Sequence, residues 1–540
     1  MDAQKLVTDV LMLSETINRV GAGYFHTQPV SRTNIVVNRT DIGETANATL
    51  FDWGIIAAIT ESPLCLTGDT DRGKTDYAKI LLTALMGEEE KAWHKTDIDS
   101  DFGSLTYSGQ NYGAITDGQT SAELFFAKPF VKFPGLIWDE LNRAPAKLIT
   151  KLLHILEKDF ALENGDRVHA GHEYQRAEAM LRYQLHILAY NEGDDDFHGT
   201  SPIDRAMKRR QPIEIPFDVF QTRMVDKKRM AEERSGDLII TNGDGHLETI
   251  LDLLHSIDDI PISPEAEHMR LFLQSTGYCP HSLSDDKKGI NFQKSMCSKI
   301  KPQNLDGTPK TDAGGTPLQG CHYLATYPQQ MCPNVYNLGD GNSIKLMKIA
   351  KAHSLIRILR TAEVVAKHLE ITRQQSATSM RAAAQNYSVH GTLKKIAEAS
   401  GIDTNTSPTE VVKRFMAAQL ENLQVEPTDI QTVFPFVSRS KLPLSQPWVQ
   451  RQYQGGRWYA IQALANEAYT RTTGFHAGNP ELAAKLGSGA PLSDADHATL
   501  NELGAQDVWL GRSFEAYTQD TAEKNNPRPS PEMIRNVLRF

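Results

Sequence analysis

Three short stretches hold the residue types best suited to chemistry. GDTDRGKT, Gly68 to Thr75, fits the spacing G-x-x-x-x-G-K-[ST]. Gly68 and Gly73 let the backbone bend and approach an anion closely. Between them lie Asp69, Thr70, Asp71 and Arg72, whose amides, with the N-terminus of a following helix, supply positive potential. Lys74 would reach the outer phosphates of a nucleotide, and the Thr75 hydroxyl would bind Mg²⁺. Asp69 and Asp71 place negative charge beside an anion, so they must point outward, with Arg72 partly offsetting them; reduced nucleotide affinity is one consequence. The bland alternative is a glycine turn with a solvated lysine. GLIWDE ends in the adjacent carboxylates Asp139 and Glu140. At a strand edge, Asp139 can join the Mg²⁺ shell while Glu140 polarises an attacking water; alternatively, both serve as a helix cap. LHILAYNEG brings Asn191 to a strand tip, where it can orient water against a γ-phosphate, or simply form a turn.

These residues need elements to position them. PLCLTG (63–68) is a short apolar run ending in glycine, as a buried parallel strand would. TDYAKILLTALMG follows with apolar residues at helical spacing and a glycine stop. The glycine loop therefore sits between a strand and a helix. GLIWDE reads as a second strand, and Leu148, Leu152, Ile155 and Leu156 give the next segment an apolar helical face. LHILAY is a third strand. SPIDRAMKRRQPIEIPFD (201–218) gives a short helix with a basic end, then a strand. Its arginines can face a neighbouring subunit's nucleotide, or merely favour the helix C-terminal dipole. Residues 1–20 and 51–60 read as helices, 32–46 as irregular or weakly β, and ALENGDRVHAG (161–171) as a hairpin turning at NGD.

In this order, the pieces resemble the AAA+ ATPases, specifically the MoxR branch. DELNRAPAKLITKLLHILE is similar to that branch's Walker B segment and following helix, GDTDRGKT to the Walker A, and LHILAYNEG to the sensor-1 strand. FHGTSPIDRAMKRRQPIEIPFD resembles the stretch that carries the arginine finger. By that register Arg210 is the finger and Arg209 stands close behind. Arg205 is a third candidate, because Gln211 replaces the family's Phe and blurs the register. GNSIKLMKIAKAHSLIRIL (341–359) resembles the sensor-2 helix, with Lys345 where the family has arginine; a lysine keeps the charge but loses bidentate geometry. VEPTDIQTVFPFVSRSKL (425–442) resembles the end of the family's lid. The resemblance implies an α/β doubly wound parallel sheet over 51–225 as the P-loop core. It also implies a helical lid over 226–445, ATP and Mg²⁺ as ligands, and a homo-hexameric ring with nucleotide between subunits. A protein client or a partner with a von Willebrand A-type domain is implied as well. The family's region after the loop helix holds a pore-facing insert; here it is DIDSDFGSLTYSGQNYGAITDGQTSAEL, where Phe102, Tyr107 and Tyr112 would grip a partner or sit in a surface loop.

The lid is interrupted at 277–338, where composition shifts to Gly, Pro, Asn, Asp, Lys and Thr. Four of the five cysteines lie here: Cys279, Cys297, Cys321 and Cys332. Their separations of 17, 23 and 10 residues contain no C-x-x-C knuckle. Clustering in a segment with little core argues for a metal, Zn²⁺ or an iron–sulfur cluster equally; free thiols are the alternative. Residues 1–50 form an N-terminal helical or irregular segment, and 446–540 a mainly helical C-terminal extension. In the extension, Trp448, Tyr453, Trp458 and Tyr459 alternate with Arg451, Arg457 and Arg471. Such a mixture stacks on bases in some proteins, and packs helices or docks partners in others.

With 540 residues, the chain is too long for one ordinary domain. Hydrophobic residues at 40% and charged residues at 23% suit globular cores. A formal net charge of −10 disfavours nucleic-acid binding over the whole surface. No run of about 18 apolar residues suggests a membrane span. Acidic residues interrupt the apolar pattern of the N-terminus, unlike a secretory signal. Sparse cysteines argue against a disulfide framework. The expectation is a cytoplasmic ATPase that couples hydrolysis at subunit interfaces to remodelling of a protein partner. The alternative is a nucleic-acid motor or restriction-type NTPase that holds DNA or RNA with the insert and tail.

Overall fold

Four segments, LCLT, GLIWD, LHILAY and IEIP, are buried along their whole length, as strands covered on both faces must be. In the computed structural model they form most of one five-stranded parallel sheet. The structure describes residues 3–20, 28–37, 40–68, 72–87, 91–95, 107–108, 126–127, 132–144, 149, 152–153, 155–156, 159–161, 167–191, 210, 212–217, 219–220, 224, 228, 245–275, 339–374, 397–398, 401–402, 406–438, 456–506, 510–511 and 513–514.

The chain divides into two compact units, Met1–Pro261 with Lys348–Gln424, and Ile262–Met347 with Val425–Phe540. This division cuts across the boundaries expected at 225 and 445. In the first unit, α1 (Ala3–Val20) precedes an antiparallel pair, β1 (Ser31–Val37) and β2 (Thr40–Ala48). Then come α2 (Leu50–Thr60), β3 (Leu64–Thr67), α3 (Lys74–Met86) and β4 (Lys91–Lys95). The short pair β5 (Tyr107–Ser108) and β6 (Phe126–Ala127) precedes β7 (Gly135–Asp139). Two hairpins follow: β8 (Asp159–Ala161) with β9 (Arg167–His169), and β10 (His172–Arg176) with β11 (Ala179–Tyr183). The first pair matches the hairpin expected around NGD. After them come β12 (Leu185–Tyr190), β13 (Ile213–Pro216) and α4 (Leu247–Ser256).

The sheet order is β13-β3-β12-β7-β4, all parallel. From β3 the chain crosses to the far edge at β4 and returns through β7 and β12; β13 then pairs on the other side of β3. Side chains alternate between the two faces. Cys65, Leu136, Trp138, Leu188 and Tyr190 share one face with Leu141, Ala144, Ile149, Leu152, Leu153 and Ile155. α3 packs on the other face, where Leu82 lies so close that a Cβ on Gly135 would meet its methyls at 3.0–3.1 Å. The doubly wound parallel sheet expected from the sequence is thus the fold observed.

α2 starts at a capping box: Thr49 Oγ1 accepts from the Asp52 amide, and the Asp52 carboxylate accepts from the Thr49 amide. The same buried carboxylate receives Arg360 from α6 (Gly339–Gln374), and Arg360 also holds Glu363 and Ser14 of α1. α7 (Pro408–Leu420) begins where the Ser407-Pro408 pair predicts, with the Ser407 hydroxyl accepting from the Glu410 amide.

The second unit contains α5 (Pro264–Ser275), the first residues of α6, α8 (Pro427–Ser438), α9 (Gly456–Gly478), α10 (Pro480–Ser488) and α11 (Asp494–Gln506). Arg270 of α5 pairs with Glu267 and donates to Ser343 of α6. Trp458 is 4% exposed and packs edge-on against Phe436 at 4.7 Å, so it is buried in helix packing rather than available for base stacking. Arg471 pairs with Glu467 one turn earlier. Among the described residues, no helix is long and apolar enough to cross a membrane.

Candidate phosphate-loop site

The parallel strands place their C-terminal ends on one edge, which is where open α/β sheets bind ligands. Register brings the key positions level. Thr67 pairs with Tyr190 and with Pro216, Trp138 with Leu188, and Asp139 with Lys95. Gly68, Asn191 and Glu140 each follow directly on a strand end.

The loop conformation requires its glycines. Gly68 has φ 132°, and Gly73 has φ 79° and ψ 21° at the cap of α3. Lys74 is the first residue of α3 and is 8% exposed. Its ammonium donates to the Gly68 carbonyl at 2.8 Å and to Asn191 Oδ1 at 3.0 Å. The Thr75 hydroxyl lies 3.1 and 3.0 Å from the two oxygens of the buried Asp139 carboxylate. The chain thus brings Gly68, Gly73, Lys74, Thr75, Asp139, Glu140 and Asn191 to one edge. Arg72 flanks them, half-buried.

Glu140 has a left-handed backbone, φ 52° and ψ 39°, at the entrance to a 3₁₀ turn over Leu141–Arg143. Such a conformation costs roughly 1–3 kcal/mol in a residue other than glycine and is often found at functional sites. The Glu140 amide donates to Asp139 Oδ1 at 3.1 Å, and Arg143 Nη1 lies 3.2 Å from Glu140 Oε2. Asn142 Nδ2 donates to the Asn191 carbonyl at 3.3 Å. These pairings do not follow from residue types alone, although the NR that follows DE is visible in the sequence. Glu214 was also missed: it is buried on β13, and its carboxylate accepts from Thr67 at the base of the loop, 3.4 Å away. Its signal is the one charged residue in the otherwise apolar IEIP.

Thr75 and Asp139 offer hard oxygen donors side by side, which suits Mg²⁺, an ion that keeps several waters and takes few protein ligands. The N-terminus of α3, with the Lys74 ammonium beside it, offers positive potential suited to an anion.

The other sequence candidates stand as follows. Arg210 is half-buried just before β13. Lys345 lies in α6 within the second unit. Asp69, Thr70, Asp71, Arg205, Arg209 and the cysteines at 279, 297, 321 and 332 lie outside the described residues, as do Phe102 and Tyr112. Among the described residues, no group of three or more His, Cys, Asp or Glu is arranged to hold a metal ion.

No protein-family profile matches the chain, and no curated protein matches it. Among solved structures it is similar to a candidate ATPase from Cytophaga hutchinsonii, with 16% identity and TM-score 0.35, over 52% of this chain and 72% of that one. NtrX from Brucella abortus in complex with ADP is similar at 14% identity and TM-score 0.22, over 41% of this chain and 43% of that one. A second NtrX structure from that organism shows 13% identity and TM-score 0.24, over 40% and 44%.

Proposed function

We propose that the chain is a MoxR-like AAA+ ATPase that couples ATP hydrolysis at subunit interfaces to remodelling or assembly of a protein partner. The observation that carries the hydrolytic reading is the convergence of two pairs at one sheet edge: Lys74 with Asn191, and Thr75 with Asp139. A glycine turn of purely structural use has no need for a buried lysine that reaches across the sheet to Asn191.

In this reading the triphosphate lies along the loop amides and the start of α3. Lys74 exchanges its contacts with Gly68 and Asn191 for the outer phosphates and neutralises charge there. Thr75 and Asp139 would hold Mg²⁺, which when bound neutralises phosphate charge and orients the phosphates. Glu140 orients the attacking water and Asn191 addresses it from the neighbouring strand. Arg210 is assigned as the finger that reaches a neighbouring subunit's nucleotide, with Arg209 and Arg205 as further candidates. The ring is a homo-hexamer and Lys345 is the sensor-2 cation. The partner is a protein of the von Willebrand A-domain type, and the compartment is the cytoplasm.

Calorimetric titration with ATP, with sedimentation of the same samples, tests this reading. ATP should bind the chain in the presence of Mg²⁺ and shift it to a larger, discrete oligomer, and Lys74→Ala should abolish both effects. Absence of nucleotide binding in the intact chain would reject the assignment.

A further inference from the structure

We propose that Asn142 and Arg143 are positioning residues, and that the single turn carrying them links Glu140 to Asn191. The inference rests on the hydrolytic reading above and deepens it.

The turn over Leu141–Arg143 follows Asp139 and Glu140 directly. The turn brings Arg143 back to Glu140, with Nη1 3.2 Å from Oε2. The backbone fixes the same relation, since the Arg143 amide donates to the Glu140 carbonyl at 2.9 Å. The preceding side chain, Asn142, is buried at 5% exposure and reaches the other way, donating to the main-chain carbonyl of Asn191. Asn191 in turn holds Lys74 through its side chain. One three-residue turn therefore contacts both groups that would address the water attacking the γ-phosphate.

A purely structural role fits these residues poorly. Asn142 Oδ1 is buried and has no hydrogen-bond partner among the described residues, so an apolar side chain would serve packing better. The Arg143 side chain is 47% exposed, and an ion pair so open to water contributes little to stability. Its effect is geometric: it sets a cation 3.2 Å from the Glu140 carboxylate, on a backbone that is itself left-handed. The ion pair brings one guanidinium nitrogen to Oε2, a point-charge role that a lysine ammonium can take.

Steady-state hydrolysis by the full chain, with nucleotide affinity measured in parallel, tests the proposal. Arg143→Ala should lower kcat about tenfold or more while KM for ATP stays within about threefold, the signature of an interaction made in the transition state rather than in binding. Arg143→Lys should recover most of the loss. Asn142→Asp keeps the shape but removes the donor to Asn191, and should lower kcat by a similar factor. Retained nucleotide affinity shows that each variant is folded. An unchanged kcat in Arg143→Ala, a KM that rises in step with the loss, or failure of Arg143→Lys to recover activity would overturn the proposal. Inactive wild-type chain would reject the hydrolytic reading itself, whereas active wild-type chain with insensitive variants would reject only this turn's role.

Discussion

Lys74 and Thr75 are adjacent, yet each is tied to a different strand: Lys74 to Asn191 beyond β12, and Thr75 to Asp139 at the end of β7. A helix start projects successive side chains in different directions, and the parallel register does the rest. These four residues stand out in the sequence because the chemistry calls for two of them, Asp139 and Asn191, at strand ends and two, Lys74 and Thr75, at the start of the helix after the glycine loop. Arg143 and Asn142 were present in the same motif, but their contacts depend on the 3₁₀ geometry of the turn and on the separation of β7 from β12. Neither is encoded in residue type. Two predictions belong at this scale. Glu140→Gln should leave ATP binding intact and lower kcat by about a hundredfold or more, since it removes a carboxylate from water positioning without changing the cradle; parallel calorimetry and phosphate release check this. Asp69→Asn combined with Asp71→Asn should tighten ATP binding several-fold at low ionic strength, with the gain shrinking as salt screens it. An affinity that does not change with salt or substitution would show that those carboxylates lie far from the anion.

At the scale of elements, the sequence was readable where pattern and chemistry coincide. β3 is a fully buried apolar run before a glycine, and α3 ends at Gly87 as expected. The β10–β11 hairpin was invisible for a physical reason. Its turn uses Ala177 at φ 51° rather than glycine or asparagine, so the usual hairpin signal is absent. β1 and β2 read as irregular or weakly β because SRTNIVV and TDIGETANA carry polar residues at successive positions; the strands form with Ser31 and Thr33 buried. The pairing of Arg360 with Asp52 lies far apart in sequence and could not be foreseen from either helix. It joins α1, α2 and α6 around a buried charge. Arg360→Met should destabilise the first unit by about 3–5 kcal/mol, because it strands the Asp52 carboxylate without its counter-charge. Adding Asp52→Asn should recover part of that loss. Urea denaturation of the intact chain reads both, and additive losses would contradict the coupling.

Across the whole molecule, each unit gathers segments distant in sequence through contacts that local composition does not announce. Ile262 forms a bridge with Val425, and the Ser263 amide donates to the Val425 carbonyl, so residues on either side of a long intervening stretch belong to one unit. The second unit also contains a buried polar chain: His268 Nδ1 lies 3.1 Å from His476 Nε2, and His268 Nε2 lies 2.9 Å from Ser513 Oγ, among Phe475 and Phe514. Burial, and then the neighbouring His476, pushes His268 down to about 3, and burial lowers His476 to about 4. Both lie below the ordinary value of 6.5, so between pH 6.5 and these values the unfolded chain binds protons that the folded unit does not. Stability is complete above pH 6.5 and is lost as pH falls through that window, by an amount on the order of several kcal/mol. His476→Gln, whose amide can still meet His268, should flatten the slope of stability against pH by about one proton. Denaturation at several pH values reads this, and an unchanged slope would contradict it. The central claim, that this edge of the sheet hydrolyses nucleotide, is tested most directly by steady-state phosphate release from ATP and Mg²⁺, comparing the intact chain with Lys74→Ala and Glu140→Gln. Turnover that is lost in both variants, with ATP still bound by Glu140→Gln, is the expected result. Turnover that survives Lys74→Ala, or an intact chain that binds ATP at this loop and never cleaves it in its assembled form, would contradict the claim.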